Sequence, residues 1–79
     1  GDLSPENQPF RDGYITSAVK IKLMAEADAP AVGVNVDTDD GVVTLFGMAP
    51  SQAAKQKAGE IAQGTRWVKK VDNQLQVAP

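Results

Sequence analysis

The sequence predicts an α+β fold, a two-layer sandwich in which two helices pack on one face of a three-stranded mixed sheet. Two segments repeat apolar residues every three or four positions, as amphipathic helices do, and three segments alternate apolar and polar residues, as half-buried strands do. Their order is helix, strand, strand, helix, strand. Because a helical crossover favours parallel pairing, the last two strands should run parallel, whereas the first two form a hairpin.

Composition narrows the possible functions. The chain has 79 residues, enough for one small core, and a net charge of −2 with both signs interspersed. That balance argues against nucleic-acid binding, which usually needs a basic face. The sequence contains no cysteine and no histidine, so the usual zinc, haem and histidine-based acid–base sites cannot be built from it. No stretch approaches the ~20 apolar residues of a membrane span.

Residues 1–11 are polar, contain two prolines and show no periodicity, which predicts a flexible leader or interdomain linker before a folded domain of residues 12–79. The chain starts at Gly1, and no signal peptide is visible in it. We therefore expect a processed or excised segment of a longer protein.

The first helix is predicted over residues 12–28, with Asp12 as its N-cap. Its apolar stripe consists of Ile15, Val19 and Leu23. Lys22 falls inside this stripe by ideal helical geometry, and two interpretations stay open. Its aliphatic stem runs along the edge of the core with the charge in water, or its ammonium group is placed to meet an anionic ligand.

The hairpin is predicted from alternation on both sides of a turn at residues 39–41. Gly41 is the expected residue with positive φ. Gly47 has the same parity as the buried Val43 and Leu45 but no side chain, which indicates a bend or the close approach of another backbone. The acidic residues at positions 37, 39 and 40 lack the loop length and closing glutamate of an EF-hand. We interpret them as a plain hairpin turn without a metal.

The second helix is predicted over residues 51–64. Ser51 is its N-cap and Gly64 its expected left-handed C-terminal cap. Its inward face is built from small side chains and one isoleucine: Ala54, Ala58, Ile61 and Ala62. The third strand is predicted over residues 66–77, with one parity occupied by Val71, Leu75 and Val77.

Several stretches resemble the BON domain, the module named for bacterial osmotically inducible and nodulation proteins. The first helix has Ile-x3-Val-Lys-x2-Leu at residues 15–23, and the hairpin has Asp-Gly-Val-Val-x-Leu-x-Gly at residues 40–47. An alanine-rich helix with Ile61-Ala62 follows, and residues 68–77 read Val-x2-Val-x-Asn-x-Leu-x-Val. The resemblance covers residues 13–77 and depends on the order and spacing of these motifs together.

The resemblance implies an αββαβ fold and no enzymatic activity, and we expect no cofactor. Proteins of this family are usually found in the bacterial envelope, often with tandem copies or fused to channels, secretins or peptidoglycan-binding modules. They are regarded as binding phospholipid or other envelope ligands. We therefore expect a periplasmic or envelope location, with anionic phospholipid, another BON domain or an envelope protein as partner. The matching positions are mostly core residues and turn glycines, which report fold rather than a ligand site.

Two positions depart from the family pattern. Lys22 stands where a small residue is more common, and Phe46 stands where a small polar residue often precedes the glycine. The alternation places Val42, Phe46 and Met48 on the open face of the sheet. They pack there against neighbouring polar stems, or they form an apolar patch for another domain, protomer or membrane. The stems that share this face belong to Lys70, Gln74 and Gln76.

Trp67 and the cations around it are the second candidate site. Arg66, Lys69 and Lys70 surround this tryptophan in sequence, an arrangement suited to a lipid headgroup boundary. Trp67 alternatively covers the junction of the second helix and third strand, with solvated charges beside it. No nucleophile has a visible base, so we expect no catalytic residues.

Two functional hypotheses follow. The first is a non-catalytic, envelope-associated module that contacts anionic phospholipid weakly through Trp67 and its cations, with Lys22 as a further candidate. The second is an interaction or assembly domain that uses the face around Phe46.

Overall fold

The computed structural model describes residues 8–26 and 33–78. It contains two helices and three strands in the predicted order, namely α1 (Gln8–Ala25), β1 (Val34–Asp39), β2 (Val42–Ala49), α2 (Gln52–Gln63) and β3 (Lys70–Val77). The strands form one sheet in the order β1-β2-β3. β1 pairs with β2 antiparallel, and β2 pairs with β3 parallel. The predicted α+β class and mixed sheet are therefore confirmed.

The core lies between the helices and one face of the sheet. The apolar stripe of α1 is almost completely buried, since Ile15, Val19 and Leu23 are each at most 1% exposed. Small side chains of α2 allow that helix to lie close to the sheet. The rest of the core comes from the strands and α2: Val36, Val43, Leu45, Ala49, Ala54, Ala58, Ala62 and Leu75.

The first helix begins earlier than its sequence suggests. α1 starts at Gln8 and ends at Ala25, so residues 8–11 of the predicted leader are helical and the predicted start at Asp12 is wrong. Pro9 is compatible with this because a proline in the first turn removes no intrahelical hydrogen bond. Residues 1–7 of the predicted leader and the predicted helix end at residues 27–28 lie outside the described residues.

Asp12 consequently lies within α1 and does not cap it. Its two carboxylate oxygens accept hydrogen bonds from the backbone N–H groups of Asp40 and Gly41, at 2.9 and 3.0 Å. Both turn residues have positive φ, 51° and 80°, as a two-residue type I′ hairpin turn requires. The predicted positive φ of Gly41 is confirmed, and the turn itself is attached to the first helix.

Gly47 meets another backbone, which is one of the two alternatives predicted for it. It has φ +113°, and a Cβ atom at this position would overlap the carbonyl oxygen of Gly33. The same carbonyl accepts a hydrogen bond of 2.9 Å from the N–H of Met48. Residue 47 is therefore restricted both by its conformation and by the space beside it.

The ends of α2 confirm one predicted cap and correct the other. Ser51 accepts a hydrogen bond of 3.1 Å from the N–H of Ala54, as an N-cap should. The predicted left-handed cap at Gly64 is wrong, because its φ of −80° and ψ of 0° are right-handed. The turning continues through Thr65, whose N–H donates to the Ala62 carbonyl. The residue with positive φ is instead Trp67, and β3 begins only at Lys70.

We expect Gly47→Ala to lower the free energy of unfolding by about 2 kcal/mol or more, because the new side chain meets both backbone strain and a carbonyl oxygen. Urea denaturation of both proteins measures the change. Gly13→Ala is the matched control, since a Cβ at Gly13 has no atom within 4 Å and alanine favours helix by about 1 kcal/mol. Equal destabilisation by the two substitutions would contradict this account.

Candidate functional site

Trp67 projects from the connection between α2 and β3. Its φ of 70° places this bulky residue in the left-handed region, which few residues other than glycine occupy. The side chain is 40% exposed. The chain thus adopts an unfavourable local conformation at the position where a large aromatic ring meets solvent.

Three side chains surround the indole ring. Tyr14 of α1 contacts it edge to face, with ring centroids 5.3 Å apart and planes at 70°. The guanidinium carbons of Arg66 and Arg11 lie 4.8 and 5.3 Å from the ring centroid, within the range of cation–π attraction. We refer to Arg11, Tyr14, Arg66 and Trp67 as the Trp67 corner.

Arg11 and Tyr14 are the members of this corner that the sequence analysis missed. Arg11 fell in the predicted leader, and Tyr14 lies outside the apolar stripe of α1. Arg11 and Tyr14 are three residues apart, a spacing that places two side chains on the same side of a helix. This spacing was the signal in the sequence that could have indicated that they act together. Nη2 of Arg11 is buried and has no hydrogen-bond partner among the described residues. The π face of Trp67 is the electron-rich surface next to this guanidinium.

Lys69 and Lys70 diverge from the Trp67 corner. Nζ of Lys69 lies 3.3 Å from the carboxylate of Asp40, and both side chains are largely exposed, so this ion pair contributes little to stability. The carbon stem of Lys69 lies beside Gly41. Lys70 instead begins β3 on the open sheet face, in register with Val42.

Lys22 lies apart from the other predicted cations. Its Nζ donates a hydrogen bond of 3.3 Å to the hydroxyl of Thr65, the one buried polar residue found in the described parts of the chain. A shallow depression here lies between the C-terminal ends of the two helices and is lined by Lys22, Ala25, Glu26, Glu60, Ile61 and Gly64. Because carboxylates share this lining, the depression has no clear preference for an anion.

The open sheet face carries its apolar side chains on the central strand. Phe46 and Met48 are 43% and 45% exposed, whereas Val42 is half-buried. Phe46 lies in register between Asn35 of β1 and Gln74 of β3. Polar residues of the two outer strands therefore border this apolar row.

Within residues 8–26 and 33–78, no three or more acidic side chains gather in a way that could hold a metal ion. Neither α1 nor α2 is both long and apolar enough to cross a membrane.

The fold is that of a small two-layer αββαβ domain in which two aromatic and two basic side chains form the Trp67 corner. The profile of the BON domain family matches residues 11–79. The chain belongs to the BON domain family.

Two bacterial relatives are similar to this chain. Osmotically-inducible protein Y of Escherichia coli (strain K12) is 44% identical over 64 residues, which cover 81% of this chain and 32% of the relative. The 21 kDa hemolysin of Actinobacillus pleuropneumoniae is 43% identical over 61 residues, which cover 76% of this chain and 30% of that protein. The chain thus spans about a third of the length of these relatives.

A double-mutant cycle with Tyr14→Leu and Trp67→Leu should reveal a coupling of about 0.5–1 kcal/mol, because edge-to-face aromatic contacts contribute beyond the area they bury. Urea denaturation of the four proteins gives the coupling free energy. In a control cycle, Tyr14→Leu is combined with Met48→Leu on the opposite side of the sheet, and these effects should be additive within about 0.5 kcal/mol. Additivity in both cycles would show that the ring contact does not stabilise the domain.

Proposed function

We propose that this BON domain is a non-catalytic module of the bacterial cell envelope that binds weakly to anionic phospholipid through the Trp67 corner. The observation that carries the proposal is a half-exposed indole ring with the guanidinium groups of Arg11 and Arg66 beside it. Tryptophan is favoured at the boundary between water and lipid because its ring is apolar while its N–H remains hydrated.

The two arginines supply the charge that such a surface requires. A guanidinium group binds phosphate oxygens through paired hydrogen bonds, which an ammonium group cannot do in the same geometry. Fixing both groups beside one ring reduces the conformational entropy lost on binding, since each is already held in contact. Phosphate groups of an anionic lipid would meet these cations while the indole enters the headgroup layer.

The charges nearby keep the proposed binding weak. Each cation near an anionic membrane contributes about 1 kcal/mol. The carboxylates of Asp12 and Asp40 lie at the adjacent hairpin turn and offset part of this attraction. Several linked domains would bind more tightly through avidity, because each later contact becomes intramolecular.

Family membership and the hydroxyl contacts support binding rather than catalysis. In the described residues, the Ser51 hydroxyl accepts from a backbone N–H at the start of α2. The hydroxyl of Thr16 donates to that of Thr38, at 2.8 Å, and the hydroxyl of Thr65 donates to the Ile61 carbonyl. These four hydroxyl groups, of Thr16, Thr38, Ser51 and Thr65, thus serve structural contacts.

The name of one relative supports an envelope location for this chain. The name of the Escherichia coli protein connects that protein with osmotic induction, and osmotic stress acts on the cell envelope. We propose the periplasmic side of the envelope as the place where this chain meets anionic lipid.

The test is binding of the chain to phosphatidylglycerol vesicles, with phosphatidylcholine vesicles for comparison. Arg66→Glu/Trp67→Leu should weaken binding to the anionic vesicles by more than about tenfold, because it reverses one charge and removes the interfacial ring. Vesicle sedimentation measures the bound fraction. Binding should also fall steeply as salt is added.

Lys57→Glu on α2 is the matched charge control, because it introduces the same charge change on another element. Thermal unfolding of all variants verifies that the fold is retained. Equal binding by the corner variant and the parent, or equal binding to both lipids, would refute the proposed lipid contact.

An assembly domain is the second candidate, favoured by the exposed Phe46 and Met48 on the open sheet face. Large apolar side chains grouped on one surface tend to mark contacts. The polar rows on either side would form the rim of such an interface, as in other protein complexes.

If this face assembles, Phe46→Ser should shift the monomer–oligomer equilibrium towards monomer while leaving vesicle binding unchanged. Analytical ultracentrifugation from about 10 µM to 1 mM spans the affinities expected for a small interface. A chain that sediments as monomer throughout this range would exclude self-assembly through Phe46. Arg66→Glu serves as the comparison, since it alters the other surface.

A further inference from the structure

The solvent side of α1 carries a second apolar row. Phe10, Tyr14, Ile21 and Met24 are 78%, 50%, 66% and 75% exposed, and the exposed Ser17 lies between them. We call these five residues the outer seam. At 100° per residue, they lie within about 40° of the line directly opposite the buried stripe of this helix.

The spacing of the outer seam matches that of helix–helix contacts. Its members follow one another at intervals of four, three, four and three residues, the pattern of d and a positions in a heptad repeat. The five residues span an arc of about 80° around the helix axis. This arc is as narrow as a coiled-coil seam and narrower than the apolar face of most amphipathic surface helices. This geometry fits one helix laid along α1.

The positions beside the seam are small or basic. Gly13, Ala18 and Ala25 occupy flanking e and g positions, which would let a second backbone approach closely. Gly13 is exposed, and a Cβ atom there would have no neighbour within 4 Å. Nothing described in the domain therefore requires glycine at this position, although glycine weakens a helix.

The charges beside the seam are positive. Arg11 and Lys20 occupy the remaining flanking positions. Lys20 is exposed and Arg11 is half-buried, with its guanidinium group also in contact with the Trp67 ring. The carboxylate of Asp12 is turned towards the hairpin, where it accepts two backbone hydrogen bonds. A helix with glutamate or aspartate beside its own apolar seam would complement this arrangement, as opposite charges at e and g positions do in coiled coils.

We propose that the outer seam is a docking site for an acidic amphipathic helix of a partner protein. A second copy of this chain fits less well, because two such seams would bring cations together without carboxylates between them. A lipid surface fits less well because fluid chains have no need of the small flanking residues. The contact would depend on apolar side chains at a and d positions and on carboxylates beside them.

The size of the seam sets the strength of the contact. α1 has 18 residues and is therefore about 27 Å long. One helix face of this length buries less than the ~1,200 Å² typical of stable complexes. We therefore expect a transient interaction with a dissociation constant between about 10 µM and 1 mM.

The test is a chemical-shift titration of the ¹⁵N-labelled 79-residue chain with a synthetic three-heptad peptide. The peptide has leucine at a and d positions and glutamate at e and g positions. Saturable shifts should map to the outer seam, within residues 10–24. A control peptide with lysine at e and g positions should bind at least tenfold more weakly, because its charges repel Arg11 and Lys20.

Variants separate docking from fold. Ile21→Ser/Met24→Ser should weaken peptide binding by at least tenfold with little change in Tm, since both side chains are exposed. Phe46→Ser, on the other side of the domain, should leave peptide binding unchanged. Gly13→Gln should weaken binding while the Tm stays equal or rises, whereas a purely structural role of Gly13 would lower the Tm.

Three results would overturn the proposal. Absence of saturable shifts with the acidic peptide up to about 1 mM would exclude the site. Shifts at Ile21 and Met24, which lie outside the Trp67 corner, caused by phosphatidylglycerol vesicles and not by the peptide would make the seam a membrane contact. Seam shifts that depend on the concentration of the chain alone would make it a self-association surface.

Discussion

The hairpin turn at Asp40 and Gly41 is the point on which the arrangement of this domain depends. Both residues have positive φ, so their N–H groups point towards α1, where the carboxylate of Asp12 accepts both. The carbonyl of Gly41 accepts from the N–H of Lys69, just before β3. One tight turn thereby joins the first helix, the hairpin and the entry to the last strand through directional hydrogen bonds, which fix positions more narrowly than apolar packing does.

The hydrogen bonds of this turn also position the Trp67 corner. Arg11 precedes Asp12 on α1, and Trp67 precedes the segment that is bonded to the turn. Holding the turn therefore holds two residues from distant parts of the chain beside each other. The same geometry separates the neighbouring cations, because Lys69 remains at the turn and Lys70 passes to the open sheet face. A basic cluster in the sequence becomes two differently oriented surfaces in the fold.

Apolar periodicity was sufficient to predict the elements and most of the core. Buried residues such as Ile15 and Val43 recur at the period of their own helix or strand, so their burial can be read from the neighbouring sequence. Single polar residues were less predictable. Asp12 has the residue type of a helix cap, but its hydrogen-bond partners are the two residues of the hairpin turn. Trp67 was predicted as a candidate, whereas Arg11 and Tyr14 reach it only through tertiary packing. The second apolar row of α1 was missed because the buried stripe already accounts for the helix.

The parallel pairing of β2 with β3 has a consequence for how the domain forms. The hairpin joins strands that are adjacent in sequence, whereas β3 can pair only after the chain has crossed the sheet through α2. Loop closure over that crossover makes its pairing the slower event. Until it is complete, the central strand presents one open edge, which is a template for intermolecular strand addition. The aggregation risk of this domain is therefore greatest in the interval before its last strand docks.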